Sequence, residues 1–136
     1  LHANTAMETV TRMTSPPMSV PSIMMSGLDL IIVQSRINKG GKQIRRIMEI
    51  AEIAGMEGER PRLNLIWKYD PETDTTIQTG VPCKLRELIC TAVGCRPADF
   101  EAHVRQREKI LMDMISRGIR DIESVAQILQ TFYSRQ

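Results

Sequence analysis

The groups with the most chemistry in this chain stand together in Leu1–Arg12, which reads L-H-A-N-T-A-M-E-T-V-T-R. Thr5-Ala6-Met7-Glu8 has capping-box spacing, a hydroxyl that caps a helix and a glutamate three residues on that reaches back. His2, Asn4 and Thr5 then stand where a strand end or loop turns into a helix N-terminus. Such a place offers free backbone N–H groups and a positive dipole end to anions, phosphate above all. A surface histidine beside a capped helix fits the same spacing, and spacing alone does not separate the two. Arg12 lies two turns along the helix and reads as a solvated or salt-bridged arginine.

L-H-A-N-T-A followed by E-T-V-T-R-M resembles the histidine box of the secretion-type ATPases. These are the hexameric motors of type II and type IV secretion, type IV pili and the archaeal flagellum. The continuation P-P-M-S-V-P and then L-D-L-I-I-V-Q-S-R-I is similar to the archaeal branch, and matching segments recur to the C-terminus. The resemblance implies the C-terminal part of a RecA-like P-loop ATPase core, in which antiparallel strands with flanking helices precede an all-helical subdomain. The expected division is 1–80 for the motor-core part, with two β-hairpins, and 81–136 for the helical subdomain. It also implies ATP and Mg²⁺ in the parent protein, a hexameric ring and a membrane platform protein as partners. The implied location is cytoplasmic, at the inner face of the membrane.

His2 would contact the γ-phosphate or the attacking water, as sensor and stabiliser. Asn4 and Thr5 would position the loop, and Arg12 would lie near the nucleotide. The family's G-x-x-x-x-G-K-[ST] loop and acidic strand end precede the histidine box, and these residues contain neither. Gly40-Gly41-Lys42 lacks the first glycine and the hydroxyl that would serve Mg²⁺. The chain therefore reads as the C-terminal piece of a longer ATPase, inactive by itself and with no cofactor expected on it. The alternative from another class is a stand-alone, non-catalytic interaction module whose helical third binds a partner.

Elements follow from pattern. A helix is expected over Ala6–Thr14 with Met7, Val10 and Met13–Thr14 inward, ended by Pro16-Pro17. Pro21 opens a short helix with Ile23, Met24 and Leu28 inward. Leu30-Ile31-Ile32-Val33 reads as a strand buried on both faces. Asn38-Lys39-Gly40-Gly41 is a hairpin turn. Gln43–Ile53 has helical spacing at Ile44, Ile47, Met48 and Ala51, but the turn and the family resemblance make it a strand. Gly55–Arg62 reads as a linker. Leu63–Tyr69 and Thr75–Thr79 form a second hairpin around Asp70-Pro71-Glu72-Thr73-Asp74, a segment similar to one in the archaeal motors. Asp70, Glu72 and Asp74 lack the glycine and final glutamate of a calcium loop and read as turn carboxylates.

The last third is helical. Leu85, Leu88, Ile89 and Val93 make one apolar face. A long helix from Pro97 carries a seam of Phe100, Val104, Leu111 and Met114, with Ile110 and Ile115 alongside. Arg107 falls in that seam, as a side chain that snorkels out or as half of an ion pair to the motor core. His103 reads as exposed. Gly118 and Asp121 separate it from a final helix through Ile122, Val125, Ala126, Leu129, Phe132 and Tyr133.

Composition narrows the classes. Net charge is +2, and 42% of residues are hydrophobic and 25% charged, as in ordinary globular proteins. Arg36, Lys39, Lys42, Arg45 and Arg46 make the first hairpin basic, for solubility, for a subunit interface or for a neighbour's acidic groups. No aromatic interleaves with them, which disfavours single-stranded nucleic acid, and no nucleic-acid partner is expected. No apolar run approaches the ~18 residues of a membrane span. Cys83, Cys90 and Cys95 have neither zinc spacing nor an even count, which suits a reducing compartment. Nine methionines serve as core filler or as an adaptable surface.

Overall fold

The computed structural model describes residues 1–134. They form an α/β arrangement, a four-stranded antiparallel sheet followed by C-terminal helices. Two compact units divide the chain, Leu1–Leu88 and Ile89–Gln136.

In the first unit, helix α1 (Ala6–Thr14) starts at Thr5 and stops at Ser15, whose extended backbone meets the restriction that Pro16 places on it. The strands are β1 (Leu30–Lys39), β2 (Lys42–Glu57), β3 (Arg60–Asp70) and β4 (Thr75–Gln78), in spatial order β1-β2-β3-β4. Gly40 and Gly41 both take positive φ, 57° and 77°, as the two-residue turn between β1 and β2 requires. The segment Gln43–Ile53 is a strand, as the turn demanded, and its helical spacing is overridden by pairing on both sides.

Four local expectations are corrected. Gly55–Arg62 is no linker: β2 continues to Glu57 and returns through Gly58-Glu59 into β3, with Met56 opposite Pro61. A register irregularity between Ile53 and Met56 hides this continuation from a simple alternation count. Ile23, Met24 and Leu28, expected inward, are all exposed, and Met25 is the buried residue. The segment Ser22–Gly27 is a 3-10 helix, whose period of three puts Ser22, Met25 and Leu28 on one face. On α1, Met7 is exposed and the inward row is Ala6, Val10 and Met13. Finally β1 is an edge strand. Ile31 and Val33 are buried, while Leu30 and Ile32 on the alternate face are exposed.

The core of this unit is Ala6, Val10, Met25, Ile31, Val33 and Ala51, with Met13, Val20, Met48, Ile53, Leu63 and Leu65 against it. Small Ala6 and Ala51 let α1 approach the sheet. Burying the side chains of Val10, Met25, Ile31 and Val33 contributes about 1.5–3 kcal/mol each.

Helix α2 (Lys84–Val93) carries the chain into the second unit, which holds α3 (Pro97–Ser116) and α4 (Ile122–Tyr133). Both α2 and α3 end in Schellman-type bonds, Cys95 N–H to Cys90 O and Ile119 N–H to Met114 O. The expected apolar faces are largely open. Leu88, Val93, Val104, Leu111, Ile115 and Ile122 are exposed, while Cys90 and Met114 are the buried apolar residues of this unit. Among the described residues no helix is long and apolar enough to cross a membrane.

Candidate functional site

The corner at the start of α1 is built from local bonds and one long-range bond. Glu8 N–H donates to Thr5 Oγ1 at 3.0 Å, and Thr9 N–H to Thr5 O at 3.0 Å, so Thr5 is the N-cap that the spacing predicts. The Glu8 carboxylate reaches one residue further back than a capping box does. Its Oε2 accepts from the Asn4 backbone N–H at 2.8 Å and from Asn4 Nδ2 at 3.1 Å. Its Oε1 accepts from Arg12 Nε at 2.8 Å and lies 2.7 Å from Arg12 Nη2. The Asn4 backbone donor, then Arg12, hold the Glu8 carboxyl below the usual carboxylate range. Asn4, Glu8 and Arg12 are thus one chain of charge-assisted bonds along the first turns of α1. Thr5 is exposed and capped, and His2 is exposed, with no hydrogen bond among the described residues.

Sequence reasoning missed the fourth contributor. Glu49, in β2, accepts from the Ala6 backbone N–H at 2.7 Å. Two of the donors that an incoming phosphate would use at this helix end are therefore taken, Ala6 N–H by Glu49 and Glu8 N–H by Thr5, which leaves the Met7 N–H. The corner as built does not fit a phosphate cradle, and two carboxylates flank it. His2 is the side chain of the corner that has no hydrogen bond among the described residues.

The same strand holds a second helix start. Glu52 is buried, at 2% exposure, and accepts from the backbone N–H groups of Lys84 (3.0 Å) and Leu85, the first residues of α2. Asn64 Nδ2 at 3.3 Å and Cys83 Sγ at 3.6 Å complete its surroundings. Lys84 Nζ bonds Ala54 O at 2.9 Å. Nothing in the local sequence around residue 52 signals this, because both partners lie about thirty residues away.

The basic hairpin is partly neutralised. Asp74 accepts both prongs of Arg46, Nε and Nη2, at 2.9 Å each, with Lys39 Nζ at 3.0 Å and Tyr69 Oη–H at 2.9 Å. Arg46, Lys39 and Tyr69, in that order, hold the Asp74 carboxyl far below its ordinary range, and Asp74 in turn raises Tyr69 and Arg46. Asp70 accepts from Thr73 Oγ1 at 2.6 Å and from Glu72 N–H at 3.2 Å. Asp70 and Asp74 thus organise the turn, as their spacing suggested.

In the second unit Arg107 has aromatic neighbours that neither expected role named. Its guanidinium lies over the rings of Phe132 and Tyr133, 5.6 and 5.9 Å from their centroids, and Nη1 donates to His103 O at 3.0 Å. The two rings meet edge to face at 5.1 Å. His103 is exposed, as expected.

No family model matches the chain. It is similar to the uncharacterized protein MJ0781 of Methanocaldococcus jannaschii, 36% identical over 134 residues, which is 97% of this chain and 18% of that protein. It is 30% identical over 139 residues to the uncharacterized protein MJ0900 of the same organism, covering 98% of this chain and 25% of that one. A third, MJ1287, is 26% identical over 116 residues, 84% of this chain and 43% of that protein. The chain spans about a fifth to two-fifths of the length of these relatives.

Proposed function

We propose that this chain is the C-terminal portion of a hexameric, RecA-like ATPase of the kind that drives type II/IV secretion, type IV pilus or archaellum assembly. The observation that carries this reading is the His2–Arg12 corner. A sequence that resembles a histidine box precedes a helix start, and Asn4, Glu8 and Arg12 hold that start in one geometry. The similarity to much longer proteins over nearly the whole chain supports it, since an upstream phosphate loop has room in proteins of that length.

In this reading upstream residues of the parent hold ATP and Mg²⁺. His2, the free group of the corner, faces the phosphate side as sensor and stabiliser. Asn4 and Thr5 position the loop, and Arg12 acts through the neighbouring acid, Glu8, to which it is bonded. Hexamer formation and docking to a membrane platform protein at the cytoplasmic face belong to the parent. Phosphoryl transfer is mainly positioning plus electrostatic stabilisation, so loss of one such group costs on the order of 10²–10³ in turnover. The test is ATP hydrolysis by the parent with and without His2→Ala. The 136-residue chain alone is expected to show no ATP turnover; turnover that survived His2→Ala and rigorous purification would sink that expectation.

A second reading, a non-catalytic interaction module, is favoured by the open apolar positions Leu111, Ile115 and Ile122 of the helical unit. A coding sequence that starts just before Leu1 would select it.

A further inference from the structure

We infer that Glu49 is the positioning residue of the His2–Arg12 corner, and that it reserves the N-terminus of α1 for the protein's own carboxylate and against phosphate. Resting on the motor reading, this assigns phosphate contact at the corner to the His2 side chain and not to the helix end. Three observations carry it. The Ala6 N–H, first of α1, is bonded to Glu49 at 2.7 Å across 43 residues of sequence. Ala6 itself is buried at 3% exposure in the core, so the bond ties the helix start to β2 at its best-packed point. Asn4 N–H, Asn4 Nδ2 and Glu8 N–H are also engaged, by Glu8 and Thr5, so that the Met7 N–H is the open amide of the first turn. An anion arriving at that single amide would meet the Glu8 and Glu49 carboxylates beside it, whose repulsion outweighs the attraction of a helix dipole worth a fraction of a carboxylate charge.

The same bond gives the corner its orientation. A helix start otherwise frays, because its first amides lack partners within the helix. Glu49 sits between Val33 and Lys68 in the paired part of β2, so its backbone is fixed by two neighbouring strands. The position of Asn4 and His2 is then referred to the sheet through Glu49.

The experiment is amide NMR on the 136-residue chain as it stands, in wild type, Glu49→Ala and Glu49→Gln, with inorganic phosphate as the probe. In wild type, millimolar phosphate should leave the Ala6 and Met7 amide resonances unmoved. Glu49→Ala should speed exchange of the Ala6 amide about tenfold, the loss of one charge-assisted hydrogen bond, with β1–β2 hairpin amides unchanged. Glu49→Gln, which keeps an acceptor oxygen, should restore most of that protection and the Asn4 resonances with it. Phosphate that shifts Ala6 and Met7 in wild type would overturn the inference, with no variant needed. So would unchanged Ala6 exchange in Glu49→Ala, or failure of Glu49→Gln to restore it. A parent without a phosphate loop would defeat the motor reading and leave these outcomes as they are.

Discussion

The two units start their helices in different ways. In the first, α1 and α2 receive carboxylates sent from the sheet, α1 in addition to its local Thr5 cap: Glu49 of β2 meets Ala6, and Glu52 of β2 meets Lys84 and Leu85. In the second, the caps are local. Asp99 reaches back to the Arg96 N–H at 3.2 Å, and Asp121 accepts from Ser124 N–H at 2.8 Å. A local cap stabilises a helix wherever that helix lies. A cap from a strand also fixes where the helix starts relative to the sheet. Residues 49 and 52 are three apart on a strand, so alternation sends them to opposite faces, and one strand thereby anchors α1 on one side and α2 on the other. The structure thus fixes the helix that carries the candidate site by the same means as the helix that leads into the second unit.

The sharpest way to break this comparison is Glu52→Ala. It leaves two part-buried backbone N–H groups with no acceptor, and should cost about 2–3 kcal/mol in urea unfolding. Glu52→Gln keeps one acceptor and should cost roughly half that by the same logic. If Glu52→Ala were within experimental error of wild type, the strand-sent cap would be a geometric coincidence. Thr5→Ala removes a local cap on α1 and should cost about 1 kcal/mol. Because Glu49 still holds Ala6, its helix should remain in place by circular dichroism, which would show that the long-range tie outlasts the local one.

Arg107→Ala tests the local economy of the second unit. The guanidinium over Phe132 and Tyr133 is worth about 0.5–1 kcal/mol at a partly exposed site, and Arg107→Lys should recover only part of it. The smallest effect concerns pH. Asp74 has its carboxyl held far below the ordinary 3.8, so the unfolded chain binds its proton more readily than the folded one. Its contribution is complete above the ordinary value and fades as pH falls below it. Asp74→Asn should therefore make stability less dependent on pH below about 4, measured by thermal melting at a series of acid pH values. An identical acid profile in the variant would contradict the role given to Asp74, and added salt should shrink the difference because these groups are partly exposed.

What could be read from the sequence follows the reach of each interaction. Thr5, Asp121, the Asn38–Gly41 turn and the Asp70–Asp74 turn act within a few residues, and each is where its spacing places it. Glu49 and Glu52 act across tens of residues, and a glutamate bound for a helix start looks like any other polar residue in a strand. Met25 was legible only with the period of a 3-10 helix, where an α-helical reading selected Ile23, Met24 and Leu28, all of them exposed. The Gly55–Arg62 segment has linker composition, yet pairing of Met56 with Pro61 and Glu57 with Arg60 makes it a hairpin. Arg107 stood in an apolar seam with its partner type undetermined, since aromatic rings at 132 and 133 can receive a cation as a carboxylate can. At the start of α1 the Thr5 cap was legible, and the Glu8 bonds that join Asn4 to Arg12 follow from i, i+4 spacing.

The measurement that tests the central reading most directly is steady-state ATP turnover by the protein encoded by the whole reading frame, wild type beside His2→Ala. The motor reading predicts a G-x-x-x-x-G-K-[ST] loop upstream of Leu1, Mg²⁺-dependent hydrolysis, and a loss on the order of 10²–10³-fold in the variant. An encoded protein without that loop, or turnover indifferent to His2, would contradict it.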